Sequence, residues 1–245
     1  MEEAKSLFDL TQPEAEAILK RRGLVVLPLG SVEQHGPHLP CGTDSVASLV
    51  IGRRLAARVG GLLLPVFPLG VSPFHMSFPG TLSLEPETFI SVLFDVCKSV
   101  HRHGARKFVF LNWHEGNTPA LNLAAGRVQR ELEGTRVLVA QAHSVAKELY
   151  GGEVGLTHGG ELEVLPVLLY DPSLVHLERA TNPSPEAAAR LADARRRGRA
   201  VYPILRDIRE IAPTGWYGEL KDVSRERAEE VVDGVAEAIA RAVEE

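Results

Sequence analysis

The chain has 245 residues, 44% of them hydrophobic and 24% charged, which suits one large domain with a substantial core and excludes disordered, collagen-like and fibrous proteins. Its formal net charge of −5 argues against a general attraction to nucleic acid or to an anionic membrane surface. No apolar stretch approaches the roughly 20 residues that span a bilayer, and the acidic N-terminal sequence does not resemble a signal peptide, so we expect a cytoplasmic protein.

Predicted helices alternate along the chain with short apolar strands. A capping-box pattern at Thr11 and Glu14 predicts a first helix, 14–22, that ends at Gly23. The first half continues with strand 24–29, helix 46–55, strand 62–69 and helix 85–103. The second half gives strand 107–112, helix 119–133, strand 136–142 and helices 161–170, 185–197 and 225–243.

This alternation predicts an α/β fold of three layers (α/β/α), in which helices cover both faces of a mostly parallel sheet. The continuous apolar run in strand 24–29 is typical of a strand that is buried on both faces. The chain has no internal repeat and no convincing linker, so we expect residues 1–245 to form a single domain.

Unusual polar residues follow several of the predicted strands. In open α/β sheets, ligands bind beyond the carboxyl ends of the strands, so these loops predict a site. Imidazole and carboxylate together are the ligands of zinc, manganese or iron, and two neighbouring metals need a bridging carboxylate. A lone histidine is more often a packing residue, but several candidates share one edge here: Glu33, His35 and Asp44, then His114 and Glu115, then His158, Glu161 and Glu163.

The segment Leu29–Pro40, with sequence LGSVEQHGPHLP, and the following Thr43-Asp44 pair resemble the signature of the creatininase (creatinine amidohydrolase) family. Segments 78–83, 112–117 and 158–163 resemble the other blocks of that family in the same order. The resemblance implies a creatininase-like fold and a hydrolase of cyclic amides and related carbon-nitrogen bonds. It also implies two divalent metal ions per subunit, of zinc, manganese or iron, and a homo-oligomer, namely a hexamer.

The resemblance also implies roles for single residues. Glu33 and His114 would bind one metal, His35 would bind the other, and Asp44 would bridge both. His158 matches the histidine that is proposed to move protons near the scissile bond, and is expected to be catalytic.

One metal ligand of creatininase itself is absent, because this chain has Gly116 where creatininase supplies a carboxylate. Many relatives with glycine there place a glutamate directly after the triplet of histidine, small residue and glycine. The resemblance therefore implies Glu161 as the remaining ligand of the second metal. We expect Glu163 either to support catalysis or to be a buried carboxylate that backbone groups satisfy.

Three further residues are candidates for substrate binding. Glu115 occupies a position often filled by glycine or tyrosine in relatives, where it would face the pocket. Phe74 replaces a common glutamate, so creatinine itself is a doubtful substrate, and the next residue, His75, either contacts substrate or caps its loop. Trp216 either closes over the pocket or packs on the core. We expect the remaining histidines to be structural: His101, His103, His143 and His176.

Three functional hypotheses follow. The first is a dinuclear metal hydrolase that cleaves a carbon-nitrogen bond of a cyclic amide or formamide-type small molecule. The second is a hydrolase with the same metals that opens a lactone or cleaves a carbon-carbon bond of a cyclic ketone such as an inosose-like sugar. The third is a non-catalytic scaffold stabilised by metal. None of them requires nucleic acid or a membrane.

Overall fold

A computed structural model describes residues 3–151, 157–184, 201 and 204–245. At its centre is a parallel sheet of four strands: β1 (Leu24–Leu29), β2 (Leu62–Leu63), β3 (Lys107–Asn112) and β4 (Arg136–Gln141). The spatial order is β2-β1-β3-β4. Leu29, Asn112 and Gln141 pair at the carboxyl ends of β1, β3 and β4, so the loops after these strands leave the same edge.

Seven α-helices lie in the described ranges: α1 (Gln12–Arg22), α2 (Thr43–Val59), α3 (Pro86–Arg102), α4 (Thr118–Glu131), α5 (Ala142–Tyr150), α6 (Glu161–Tyr170) and α7 (Arg225–Glu244). Side chains alternate between the faces of a strand, and β1 and β3 divide accordingly. Val26 and Val109 join a core with α2, α5, α6 and α7, whereas Val25 and Phe108 join a core with α1, α3 and α4. The predicted three-layer α/β/α fold is confirmed.

The structure differs from the predicted elements where proline or an abrupt turn intervenes. Strand 62–69 is paired regularly only over Leu62–Leu63. Pro65 and Pro68 have no N–H to donate to a ladder, so the chain continues beside β1 with single contacts such as Phe67 N–H to the Pro28 carbonyl. Helix α5 was not predicted, because it begins at Ala142 directly after β4, with no side-chain cap to mark it. The predicted helix 185–197 lies outside the described residues.

No helix in the described ranges combines the length and the apolar character that crossing a membrane requires.

Candidate metal centre

The first loop of the site is held close to α2. Gly30 directly follows β1, and a Cβ atom there would lie 2.4 Å from the backbone N and Cα of Ser45, so only glycine allows this approach. The Ser45 hydroxyl donates to the Ser31 carbonyl (2.8 Å), and the Ser31 hydroxyl donates to Asp44 Oδ2 (2.7 Å). These contacts place Asp44, in the first turn of α2, beside the Glu33–His35 loop.

The second loop follows β3 and carries His114. Asn112 donates from Nδ2 to the His114 carbonyl (2.7 Å), which fixes the backbone at the end of the strand. Asn117, fully buried, donates to the Gly30 carbonyl (3.0 Å) and accepts from the Val71 N–H (2.9 Å). Asn117 therefore ties together the loops after β1, β2 and β3. The sequence analysis did not single it out, although a buried asparagine after a strand is typical of such a role.

The third segment enters α6. The backbone of His158 exchanges two hydrogen bonds with Tyr217, from His158 N–H (2.9 Å) and from Tyr217 N–H (2.8 Å). Glu163, in the first turn of α6, accepts a hydrogen bond from the Gly159 N–H through Oε2. Both side chains are buried, and both lie beside His35 of the first loop.

Asp44 lies at the centre of the cluster. Its Oδ1 is 3.2 Å from His35 Nε2, and its Oδ2 is 3.0 Å from His114 Nδ1. Two groups of closely spaced ligand atoms share this residue: Glu33, Asp44 and His114 form one, and His35, Asp44 and Glu163 form the other. A third group joins Glu33, His35 and His158. Each carboxylate oxygen of Asp44 thus faces a different set of potential ligands.

The hydrogen bonds around the two histidines fit metal ligation. His35 Nδ1 contacts the Glu33 carbonyl (3.0 Å), and His114 Nε2 contacts the Val71 carbonyl (3.1 Å). A carbonyl only accepts, so each of these nitrogens donates, and the other nitrogen of each ring, which faces Asp44, can bind a cation once the ring is neutral. This is the usual arrangement of a metal-binding histidine. In addition, Glu33 Oε2 is buried without a hydrogen-bond partner, which a cation would satisfy.

Charge interactions shift the pKa values of the side chains in this cluster. Burial alone would lower the pKa of His35, but the carboxylates of Asp44, Glu163 and Glu33 raise it to about 10. Burial would also lower the pKa of His114, but the carboxylates of Glu33 and Asp44 raise it to about 9. Burial raises the pKa of the Glu163 carboxyl above its ordinary value. Protons therefore compete with metal ions for this cluster.

His158 differs electrostatically from the two histidines beside Asp44. Burial, together with the neighbouring His35 and His75, holds the pKa of His158 well below its usual range. Its ring stacks on His35 with centroids 4.3 Å apart, and lies 4.6 Å from that of His75. His158 is therefore a neutral imidazole, able to accept a proton, at the edge of the carboxylate cluster.

The structure does not bring Glu161 to this cluster. Its Oε2 accepts hydrogen bonds from the backbone N–H groups of Lys221 (2.8 Å) and Asp222 (2.9 Å), and so holds the segment before α7. Glu163 lies 3.8 Å from His35 Nε2. Two residues along a helix correspond to a rotation of about 200°, so only one of the two glutamates can face the centre, and that one is Glu163.

A cavity of about 310 Å³ opens onto the cluster. Glu115 and His75, two of the predicted substrate-binding residues, line it together with apolar side chains such as Phe74 and Ile208. Trp216 does not line it; its side chain is 2% exposed and packs beside His38, with ring centroids 4.5 Å apart. Of the two expectations for Trp216, packing on the core matches this placement.

His143, expected to be structural, also lines the cavity. It lies in the first turn of α5, and its Nε2 is 4.0 Å from Glu163 Oε1. The ring meets Trp113 edge-on, with centroids 5.7 Å apart. Its position was not evident from the sequence because α5 itself was not predicted.

A family model described as creatininase, creatinine amidohydrolase, matches residues 8–243. Creatinine amidohydrolase from Pseudomonas putida is 30% identical over 264 residues, covering 99% of this chain and 98% of its own length. Mycofactocin precursor peptide peptidase from Mycobacterium ulcerans is 34% identical over 74% of this chain and 72% of its own length. For 3-dehydro-scyllo-inosose hydrolase from Thermotoga maritima, the identity is 24% over 86% of this chain and 68% of its own length.

Solved structures give the same relationship. A creatininase variant described as the Zn-Zn type superposes with a TM-score of 0.77 and 27% identity, covering 98% of both chains. A solved structure described as creatininase Mn superposes with a TM-score of 0.75 and 28% identity, again covering 98% of both chains. The similarity to relatives with these metals supports binding of divalent metal by the cluster around Asp44.

Proposed function

Because the chain belongs to the creatininase family of metal-dependent hydrolases, we propose that it is a dinuclear hydrolase that cleaves a carbon-nitrogen bond of a cyclic amide or formamide-type small molecule. The observation that carries this proposal is the position of Asp44. Its two carboxylate oxygens face two separate groups of ligands, as a carboxylate that bridges two cations must.

The ligand sets follow from the contacts. Glu33, His114 and Asp44 would hold one divalent ion, of zinc, manganese or iron, and His35, Asp44 and Glu163 would hold the other. We therefore propose Glu163 as the second-site ligand in the place predicted for Glu161, whose carboxylate is engaged by backbone N–H groups. Two ions bound there would activate a water molecule and polarise the bond that it attacks.

His158 would transfer a proton from the attacking water to the departing nitrogen. Its Nε2 lies 2.6 Å from the Gln34 carbonyl and must donate to it, which leaves the lone pair of Nδ1 on the side of Glu33, 3.9 Å from Oε1. Nδ1 can take the proton of the attacking water and return it to the departing nitrogen, as a positioned acid-base group does. The low pKa of His158 keeps Nδ1 available as an acceptor at neutral pH.

The cavity favours small substrates without negative charge. Among the described residues that line it there is no lysine or arginine, whereas Glu115 adds a carboxylate beyond the metal ligands. Apart from bound metal ions, an anionic substrate would meet no lysine or arginine among these lining residues, whereas an amide, an amine or a hydroxyl group could donate a hydrogen bond to Glu115.

Glu115 also supports the second candidate function, hydrolysis of a cyclic ketone or lactone. A carboxylate on the cavity wall suits a ligand with several hydroxyl groups, and one relative is named as an inosose hydrolase. Under this alternative the metal ligands and His158 keep the same roles, and only the bond that is cleaved changes.

A substrate screen with zinc-loaded and manganese-loaded protein tests the proposal. We expect turnover of a member of one panel: cyclic amides, formamides, short peptide amides or inosose-like ketones. Asp44→Asn, which removes a bridging carboxylate oxygen, is the matched inactive control. If no panel member is turned over by protein that holds two metals, the hydrolase proposal fails and the metal-stabilised scaffold takes its place.

Family resemblance further supports a homo-oligomer, a hexamer, built from a single domain of residues 1–245. Light scattering coupled to size-exclusion chromatography measures the molar mass of the assembly, and the mass of a single chain would contradict the proposed homo-oligomer.

A further inference from the structure

The side chain of Gln34 lies between two histidines of the site, although the residue stands in sequence between two proposed metal ligands. It is 6% exposed and contacts His75, His158 and the turn at Gly215. A Cβ atom on Gly215 would lie 2.4 Å from Gln34 Oε1, so the absence of a side chain there is what admits the amide.

Two backbone contacts establish the orientation of the Gln34 side-chain amide, that is, which terminal atom is Nε2 and which is Oε1. Its Nε2 is 2.7 Å from the Gly215 carbonyl, and its Oε1 is 3.0 Å from the Gly36 N–H. A carbonyl only accepts and an N–H only donates, so exchanging the oxygen and nitrogen of the amide would break both hydrogen bonds. Gln34 therefore presents one remaining N–H of its Nε2 group toward the histidines.

His75 receives that remaining N–H. Its Nδ1 lies 3.2 Å from Gln34 Nε2, and since the amide nitrogen can only donate, Nδ1 must accept. A neutral imidazole that accepts at Nδ1 carries its proton on Nε2. The Nε2–H of His75 then faces Glu33, 3.4 Å from Oε1.

His158 cannot share this role. Its Nε2 donates to the main-chain carbonyl of Gln34 (2.6 Å), so the 3.1 Å approach of Nε2 to the Gln34 amide nitrogen joins two donors and is not a hydrogen bond. The main chain of Gln34 therefore fixes the tautomer of His158, and the side chain fixes the tautomer of His75.

We propose that Gln34 is a positioning residue that fixes the tautomers of the two histidines and so gives them different roles. It holds His158 with an open Nδ1 that exchanges protons, and it holds His75 as a fixed Nε2–H donor beside Glu33. The contribution to turnover rests on the proposed hydrolase function, but the assignment of the two tautomers does not.

Proton positions on the imidazoles test the assignment without any substrate. Long-range 1H–15N correlation spectra of zinc-loaded protein with 15N-labelled histidine distinguish ring nitrogens with and without a proton, and His75→Gln and His158→Gln identify the signals. We expect both rings to carry the proton on Nε2. A proton on Nδ1 of His75 in the unsubstituted protein would overturn the proposal.

Gln34→Glu supplies the matched variant, because it keeps the shape but replaces the donor with an acceptor. We expect the His75 proton to move from Nε2 to Nδ1, while His158, held by the main chain, keeps its proton on Nε2. If the His75 signals are unchanged in a variant that still holds two metals, Gln34 does not set the tautomer.

A double-mutant cycle measures the consequence for turnover once a substrate is known. We expect Gln34→Met to lower kcat by about 10-fold with KM little changed, since general acid-base and donor groups act on the chemical step. In a His75→Gln background the same change should have little further effect, because the residue through which it acts is gone. Equal losses in both backgrounds would show a merely structural role.

Discussion

Asp44 and the two glutamates of α6 illustrate how single positions decide the chemistry of this site. Asp44 faces two histidines with two different oxygens, and Glu163 faces His35 while Glu161 turns away. Spacing along the sequence could not separate Glu161 from Glu163, because the choice depends on the rotation of α6 about its own axis. The glutamates therefore give a matched pair of variants.

We predict that Glu163→Gln lowers the bound metal from about two ions per chain to about one, because the second site would lose a charged ligand. Glu161→Gln should leave the metal content unchanged. It should lower the free energy of unfolding by about 1 kcal/mol, because a neutral acceptor binds the Lys221 and Asp222 N–H groups less strongly. Mass spectrometry of metal content and denaturant unfolding measure both effects, and the reverse result for the two variants would refute the assignment.

The raised pKa values of His35 and His114, about 10 and about 9, predict that metal binding releases protons. At pH 7 both imidazoles are charged in metal-free protein and must become neutral to bind, so about two protons leave per chain. The affinity for each ion should fall by about 10-fold per unit as the pH is lowered.

Calorimetric titration with zinc in buffers of different ionisation enthalpy measures this proton release, and heats that do not depend on the buffer would contradict it. The stability of the metal-free fold depends on pH in the opposite direction to the metal affinity, and falls as the pH rises. Because the folded pKa of each histidine lies above 6.5, its stabilising contribution is complete below pH 6.5 and is lost as the pH rises through about 9 to 10.

Among the elements, β1, β3 and α6 have the predicted boundaries, since each is a predominantly apolar segment. The predicted second strand fails where Pro65 and Pro68 remove donors, and α5 follows β4 without a turn. The sequence therefore predicts which loops share an edge of the sheet, but not the contacts of α5. For that reason it predicts only a structural role for His143, which lines the cavity.

The junction of β1 and α2 yields a prediction at this scale. Gly30→Ala should force the two backbones apart, because its Cβ would lie 2.4 Å from Ser45. We expect a loss of stability of about 1–3 kcal/mol or more, together with a lower metal content as Asp44 moves. Gly42→Ala, where a Cβ meets nothing within 4 Å, is the control. Thermal unfolding and metal analysis compare the two variants, and equal stability and equal metal content would contradict this prediction.

In the molecule as a whole, the proposed ligands come from the loops after β1 and β3 and from the first turns of α2 and α6, so a bound cation would connect segments that are far apart in sequence. A ligand that binds only the folded state stabilises it, by about 2.7 kcal/mol per site at 100 times its Kd. We expect zinc or manganese to raise Tm by about 5–10 °C per site and a chelator to reverse the shift. An unchanged Tm for protein that takes up metal would show that the site does not connect these segments.

The proposed function depends on Asp44 bridging two metal ions. Anomalous diffraction at the zinc edge from crystals of the zinc-loaded protein would show the positions of these ions. We expect two zinc peaks, one contacted by Glu33, Asp44 and His114 and the other by His35, Asp44 and Glu163. A single peak, or a second zinc bound by Glu161 in place of Glu163, would contradict it.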